Sequence, residues 1–490
     1  MNANGRYAGH VSITVDGREA FDLSPFDAPE KIDRIDVNVA AGPEFHFETL
    51  EVSPLAGGSF LPEIQPEERA DSGKISQVVL KAIDDWKAAG HADARVKSQD
   101  IVANHARHTL RAKVTIDPGP LYHLGDLHAD PDDPTLDERV KAVAGFEGGA
   151  VYSPARIEAS RARLQKTNAY RSVSFEEEPN PKTGIMDVQA DLVPQKKRRI
   201  TTGVEFESPG GLTISSSWMH RNYKQQLQTL SFDGEISNIL GGSDAVDLTL
   251  GATLKRPATL FTDTDLTLSG TFDVLQEPTY SSQEIEVGGE FTRDFKNGWI
   301  ASAGTTLGYT VIQDDLGDRT TTDLSFPLSM SLDRRDNKLN PQSGFKIAAT
   351  ATPIFLLESG KAAAHSTFDI RKYHPVEDAG KTVIAGRVQG GTIIGADYDD
   401  LPPSLLFNSG GGGTVRGHAY QELSINRRAG VQTGGTSFIG ASVEIRREIF
   451  GDLGGVAFLD AGWLGDGVIP EEGDPWQAGA GFGVRYTHGH

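Results

Sequence analysis

From Arg198 to its end the chain is a train of segments about ten residues long in which apolar and polar side chains alternate, broken by Gly, Asp, Asn and Pro. A period of two puts the apolar residues of each segment on one face of a sheet. Over 264–275, Leu266, Leu268, Gly270, Phe272 and Val274 share one face, and Asp265, Thr267, Ser269, Thr271 and Asp273 share the other. Ile285, Val287, Gly289 and Phe291 oppose Glu284, Glu286, Gly288, Glu290 and Thr292. The same alternation runs through 324–333, and near the end Ala478, Ala480, Phe482, Val484 and Tyr486 oppose Gln477, Gly479, Gly481, Gly483 and Arg485. Candidate strands begin near 199, 212, 226, 245, 264, 283, 298, 321, 344, 362, 381, 437, 453 and 476, with no sign of a domain break.

Two folds bury such a pattern. A soluble sandwich packs the apolar face against a second sheet, at about seven to nine strands per domain. A membrane barrel turns that face to lipid and lines a wet interior with the polar one. Several polar faces here are too polar for a dry core. Backbone in hydrocarbon must be hydrogen-bonded within a closed sheet. The expectation is therefore an antiparallel transmembrane barrel over 196–490; a soluble all-β binding protein is the alternative.

Composition removes other classes. A net charge of −21 argues against a nucleic-acid partner. With Cys 0 there is no disulfide, thiolate nucleophile or Cys-ligated metal. No stretch of ~18 apolar residues forms a spanning helix, and the opening MNANGRYAGHVSITV has no leader pattern. Fourteen of the 55 glycines lie before residue 196, which marks a different first part.

That first part repeats. GRYAGHVSI (5–13) leads to DRIDVNVAAGPEFHFETLEV (33–52), AGHADARVKS (89–98) to HTLRAKVTIDPGPLYHLGDLHA (108–129), and NAYRSVSF (168–175) to GIMDVQADLVPQ (184–195). Each reads as a hairpin. Between them Ile75, Val78, Val79, Ile83 and Trp86 fall at helical spacing, as do Leu136, Val140 and Val143. Ser153 and Pro154 read as a cap and first-turn proline before Ile157 and Leu164. The unit is β-α-α-β-β, over a partial 1–41, then 42–117 and 118–195; the first unit has no room for its helices.

The gap between the strands at 381–394 and 437–449 is the outlier. It holds DYDDLPPSLLFNSGGGGTVRGHAYQELSINRRAGVQTGGTS, and Leu405, Leu406, Phe407, Val415 and Tyr420 within it predict a loop over 396–436 that folds back and packs inside the barrel.

These residues carry a family resemblance. TVRGHAY (414–420), with Val415, Arg416, Gly417 and Tyr420, resembles the Val-Arg-Gly-Tyr/Phe loop of the outer-membrane assembly and secretion factors that join periplasmic POTRA domains to a barrel. FLDAG (458–462), with Phe458, Asp460 and Gly462, resembles their Phe-x-Asp-x-Gly strand. The hairpin with Asp336, Pro341 and Gly344 resembles their Asp-x-x-x-x-Pro-x-x-Gly turn. The block at 402–421 is most similar to the outer-membrane subunit of the translocation and assembly module, and the β-α-α-β-β units are similar to POTRA domains. The resemblance implies a bacterial outer-membrane location with the POTRA domains in the periplasm. It implies promotion of insertion or secretion of autotransporter-type and other barrel clients by lateral strand templating. Its implied partners are unfolded clients, the bilayer and an inner-membrane TamB-like subunit. It also implies a barrel of 16 strands where about 14 are counted, so both ends are expected to be incomplete.

On alternation alone, Ala457, Leu459, Ala461 and Trp463 face lipid while Phe458, Asp460 and Gly462 face inward. Glu444 and Arg446 face inward as well, so a loop Arg416 in the bore could meet Asp460 and Glu444. A guanidinium fork suits carboxylates. His418 stands where the family has an aromatic, and Tyr420 is the candidate to supply that ring.

The remaining features read as structural. Asp397, Asp399 and Asp400 lack EF-hand spacing. His105 with His108, and His488 with His490, lack further ligands. Gly410–Gly413 lacks a following Gly-Lys-Ser/Thr. Lys196–Arg199 reads as a polar rim. No metal or cofactor is expected. No nucleophile elbow or acid/base carboxylate pair appears, so the expectation is a non-enzyme. A two-partner secretion transporter of the same build and a passive porin or adhesin are the other readings.

Overall fold

A computed structural model describes residues 4–23, 31–59, 68–129, 133–207, 211–239, 246–277, 279–295, 297–314, 316–377, 380–427 and 431–487. His488 and His490 lie outside these. The chain divides into two compact units, one of 1–133, 144–166 and 172–193, the other of 134–143, 167–171 and 194–490.

The first unit carries three small sheets. β1 (His10–Val15), β2 (Arg18–Glu19) and β3 (Ile35–Ala40) form one, in the order β2-β1-β3. β4 (His46–Ser53), α1 (Ser72–Ala88), β5 (Arg95–Asn104) and β6 (Thr109–Asp117) follow; β6 is central, parallel to β4 and antiparallel to β5. Asp71 caps α1 by accepting from Gly73 N at 2.7 Å. Ile75, Val78 and Ala82 then fall on the face that buries Val52, Phe45, Phe47, Leu110, Val114 and Ile116. β7 (His123–Ala129), α2 (Asp137–Ala144, almost wholly within the second unit), α3 (Pro154–Lys166), β8 (Tyr170–Asn180) and β9 (Ile185–Pro194) follow in sequence, with β9 between β7 and β8. This last group has the full β-α-α-β-β order. The middle one shows a single helix among the described residues.

The second unit is dominated by one antiparallel sheet. Its strands are β10 (Arg198–Glu207), β11 (Gly211–Tyr223), β12 (Gln228–Ile239), β13 (Asp247–Arg256), β14 (Thr264–Glu277), β15 (Tyr280–Asp294), β16 (Trp299–Asp314), β17 (Gly317–Ser325), β18 (Leu328–Asp333), β19 (Gly344–Leu356), β20 (Lys361–Pro375) and β21 (Thr382–Ile394). The two-residue β22 (Ile425–Asn426) and β23 (Gln432–Thr433) pair only with each other. β24 (Ser437–Phe450), β25 (Leu453–Gly465) and β26 (Trp476–Tyr486) finish the large sheet. Nearly every strand pairs with its neighbour in sequence, so most registers are set by a local turn; β21 and β24 pair across the long intervening segment. The segment predicted as one strand over 324–333 is two. Pro327 cannot donate to the ladder; β17 stops at Ser325, β18 starts at Leu328, and both lie along β16 and β19.

Register carries side-chain orientation across the sheet. Asp460 pairs with Ser442, Ser442 with Arg387, Arg387 with Arg371, Arg371 with Lys346 and Lys346 with Asp333. One face therefore carries a charged and polar row from β18 to β25. The opposite face shows Leu459, Val443, Ile445, Val388 and Ile370 exposed. On β26 that face runs from Trp476, stacked on Trp463 at 5.9 Å, to Tyr486. At ~3.3 Å per residue and a ~40° tilt, ten steps span about 25 Å, the height of a membrane-barrel apolar band.

Leu459→Arg, on the lipid face, is expected to weaken folding into phospholipid vesicles by about 2–4 kcal/mol. Thr253→Arg, on the charged face, is expected to cost clearly less. Equal costs in a urea titration of vesicle folding contradict the assignment of faces.

Candidate functional site

The segment between β21 and β24 turns back over the charged face. Leu401 and Leu406 are buried with Ile354, Leu356, Ala363 and Ile393, and Phe407 stacks on His365 at 5.1 Å. Backbone bridges join Phe407 to Gly435 and Ser409 to Leu423. At the glycine run, a Cβ on Gly410, whose φ is +123°, would stand 2.2 Å from the Ala419 carbonyl, so the turn closes only around glycine there. Gly413 O accepts from Arg387 Nη1 at 2.8 Å and from Gln389 Nε2 at 3.0 Å, fixing the tip against β21.

Arg416 fixes the other side. Its backbone N donates to Asp460 Oδ2 at 3.0 Å, its Nε to the same oxygen at 2.7 Å, and its Nη2 to Oδ1 at 2.9 Å. Nη1 reaches Glu444 Oε2 at 2.5 Å. The guanidinium lies over the Phe458 ring at 3.7 Å. Asp460 is 1% exposed. A carboxylate that deep needs its bonds, and it has three from one residue. Glu444 also accepts from Arg446, so the network crosses to the next inward position of β24.

Small residues make the seat. A Cβ on Gly479 would meet the Arg416 carbonyl at 2.0 Å, and one on Gly462 would meet Ser409 Oγ at 2.7 Å and Val415 at 3.0 Å. A Cβ on Gly481 would strike the Phe458 ring at 2.6 Å. Val415 is fully buried in this seat, and Gln477 Nε2 donates to the buried Ser409 Oγ at 2.9 Å. Gly417 turns the chain away with a φ of +92°.

The structure thus brings Val415, Arg416, Glu444, Phe458, Asp460 and Gly462 together. Tyr420 does not join them. It is 59% exposed, and the ring beneath Arg416 belongs to Phe458 of the strand. His418 instead bonds the Ala478 carbonyl at 3.0 Å and Glu422 at 3.2 Å. Asp336, Pro341 and Gly344 form a separate turn. Burial works against Asp336's charge, but the backbone at Ser343, Asn337 and Gln342 holds its carboxyl below the usual range. Gly344, with a φ of +97°, passes where a Cβ would lie 2.1 Å from Arg334 O. Asp397, Asp399 and Asp400 place carboxylates close together, and Lys361 bonds Asp397 and Asp400. His105 and His108 edge onto the Phe45 ring. Arg387, Gln389, Ser409, Gln477, Gly479 and Gly481 had no role assigned from sequence. The one available signal was glycine at alternate inward positions of the last strand.

A sheet of this kind, with a loop locked onto its charged face, defines an outer-membrane β-barrel with a bore segment. A model of the Omp85 superfamily domain matches residues 228–489, and the chain belongs to that superfamily of outer-membrane β-barrel proteins. Among solved structures, BamA from Haemophilus ducreyi lacking POTRA domains 1–3 is similar with a TM-score of 0.71 and 14% identity, over 91% of this chain and 94% of that one. CdiB from Acinetobacter baumannii is similar with a TM-score of 0.53 and 14% identity, over 92% of this chain and 85% of that one. At these identities the likeness is one of fold.

Gly479→Ala is expected to expel the loop and speed protease cleavage within 405–425 several-fold. Gly483→Ala, whose added Cβ would meet Val456 at 3.3 Å, leaves cleavage unchanged. Equal cleavage in both variants contradicts the seat. The Ala478 carbonyl, then Glu422, raise the pKa of His418. Its bonds as a cation therefore help dock the loop below pH ~6.5, and that help fades as pH rises through the raised value. NMR titration is expected to show a raised pKa that falls in Glu422→Gln.

Proposed function

We propose that this protein assembles or secretes other proteins at the bacterial outer membrane, and that it is a TamA-type factor serving autotransporter and other barrel clients. The observation that carries the reading is the Arg416 lock. It commits a segment of about forty residues to the bore, which a passive porin or adhesin has no need to hold. The work is physical rather than chemical. A client strand pairs with a sheet edge by β-augmentation while the locked loop keeps the wall in shape. In this reading 1–41, 42–117 and 118–195 are POTRA domains in the periplasm, and 196–490 is the barrel. A TamB-like inner-membrane subunit docks on the POTRA edges. A two-partner secretion transporter shares the build and differs in serving one dedicated client.

Arg416→Ala is expected to leave barrel insertion intact and to cut client assembly tenfold or more in a reconstituted vesicle assay. Truncation also strands the buried Asp460, for which breaking a buried pair costs about 3–5 kcal/mol. Arg416→Asp with Asp460→Arg is expected to recover only part of the activity, because the new aspartate still faces Glu444. Wild-type assembly by Arg416→Ala sinks the reading. Ion flux through the Arg416→Ala barrel above that of the wild type is the accompanying sign of a released plug.

A further inference from the structure

A cavity of about 400 Å³ opens at the rim of the sheet where β21, β24, β25 and β26 meet the 334–343 turn. Its lining includes Asn340, Lys381, Arg446, Arg447 and Arg485. Four cations there face two carboxylates, Glu448 and Asp452. Arg446 is already committed to Glu444. Arg447 makes one bond, to Thr382 Oγ1 at 3.1 Å, and Arg485 makes one, to Asn340 Oδ1 at 3.2 Å. Lys381 has no side-chain hydrogen bond or ion pair among the described residues. The cavity therefore holds unspent positive charge with several guanidinium and ammonium donors.

Its place says what kind of anion reaches it. Arg446 and Arg485 point to the charged face, whereas Arg447 follows Val443 and Ile445 on the lipid face. Beyond Arg447, Ile449 and Phe450 are 66% and 77% exposed, and Val484 and Tyr486 end the lipid row of β26. Arg447 thus interrupts the apolar row three residues before the strand ends at Phe450, where hydrocarbon gives way to head groups. The cavity straddles that boundary, so it can take a phosphate whose acyl chains lie along β24 and β26.

We propose that this cavity binds the phosphate of an anionic phospholipid head group, held by Lys381, Arg447 and Arg485. The site lies one side chain away from the loop lock, since Glu444 bonds both Arg446 and Arg416. The inference rests on the membrane orientation proposed above, but its readout requires no client. Native mass spectrometry of the full detergent-solubilised chain measures retention of dioleoyl-phosphatidylglycerol. The wild type is expected to retain it. Lys381→Gln with Arg447→Gln is expected to lose retention at least tenfold, and the charge-keeping Lys381→Arg with Arg447→Lys to keep most of it. If the double variant migrates as unfolded on an unheated gel, Lys381→Gln alone decides, with a loss of about threefold expected because it breaks no existing bond. Inorganic phosphate is expected to compete only at millimolar concentration. Equal retention by all variants overturns the proposal. So does inorganic phosphate binding as tightly as the lipid, or a peptide with a free C-terminal carboxylate displacing the lipid at micromolar concentration. Lost lipid with intact client assembly, or the reverse, separates this site from the proposed function.

Discussion

A single buried carboxylate organises the lumen. Asp460 sits on β25 with almost no exposure, and the charge it must keep is satisfied by three donors from Arg416. One of those donors is the backbone N–H, so the interaction positions the chain of the loop as well as a side chain. With Glu444 taking the outer nitrogen and Phe458 beneath the guanidinium plane, Arg416 has one compatible placement. Desolvation offsets much of the Coulombic gain of such a pair. Its consequence is therefore specificity of docking more than net stability, and the cost appears when one partner is removed.

The sheet makes that docking possible through what its inner face lacks. Lipid outside demands apolar residues on alternate positions, leaving the other positions free to vary. On β26 those free positions are mostly glycine; the loop backbone at Arg416 occupies the volume a Cβ would take at Gly479, and the Ser409 and Val415 side chains occupy it at Gly462. Further round, Arg387 and Gln389 of β21 hold the opposite side of the tip. The loop is thus fastened to both β21 and β24–β26, and its shoulder packs on β19, β20 and β21 through Leu401 and Leu406. One segment is fastened across six consecutive strands of the sheet.

Much of this was legible in the sequence because it obeys short-range rules. Period-two alternation located the strands and the lipid face, and the same count put Phe458, Asp460 and Glu444 on the inner face beside Arg416. Tyr420 was misjudged because spacing along a loop does not say which ring lies under the arginine; Phe458 on the strand was already there. The break at Pro327 was missed because the proline falls on a polar position and leaves the alternation intact, while removing a ladder donor. The alternate inward glycines of β26 were visible, but their use as a seat was not, because a glycine is informative only once the groups that cross it are known. In the middle unit one helix is described, and residues 60–67 between β4 and α1 lie outside the described residues.

Hydrogen–deuterium exchange of the 405–420 segment in the membrane-inserted full chain tests the central claim most directly. The account predicts that this loop exchanges as slowly as β24 and β25, because Arg416 N–H is bonded to a buried carboxylate, and that Asp460→Ala returns it to the rate of an open loop. Exchange at the solvent-limited rate in the unaltered protein would contradict the account.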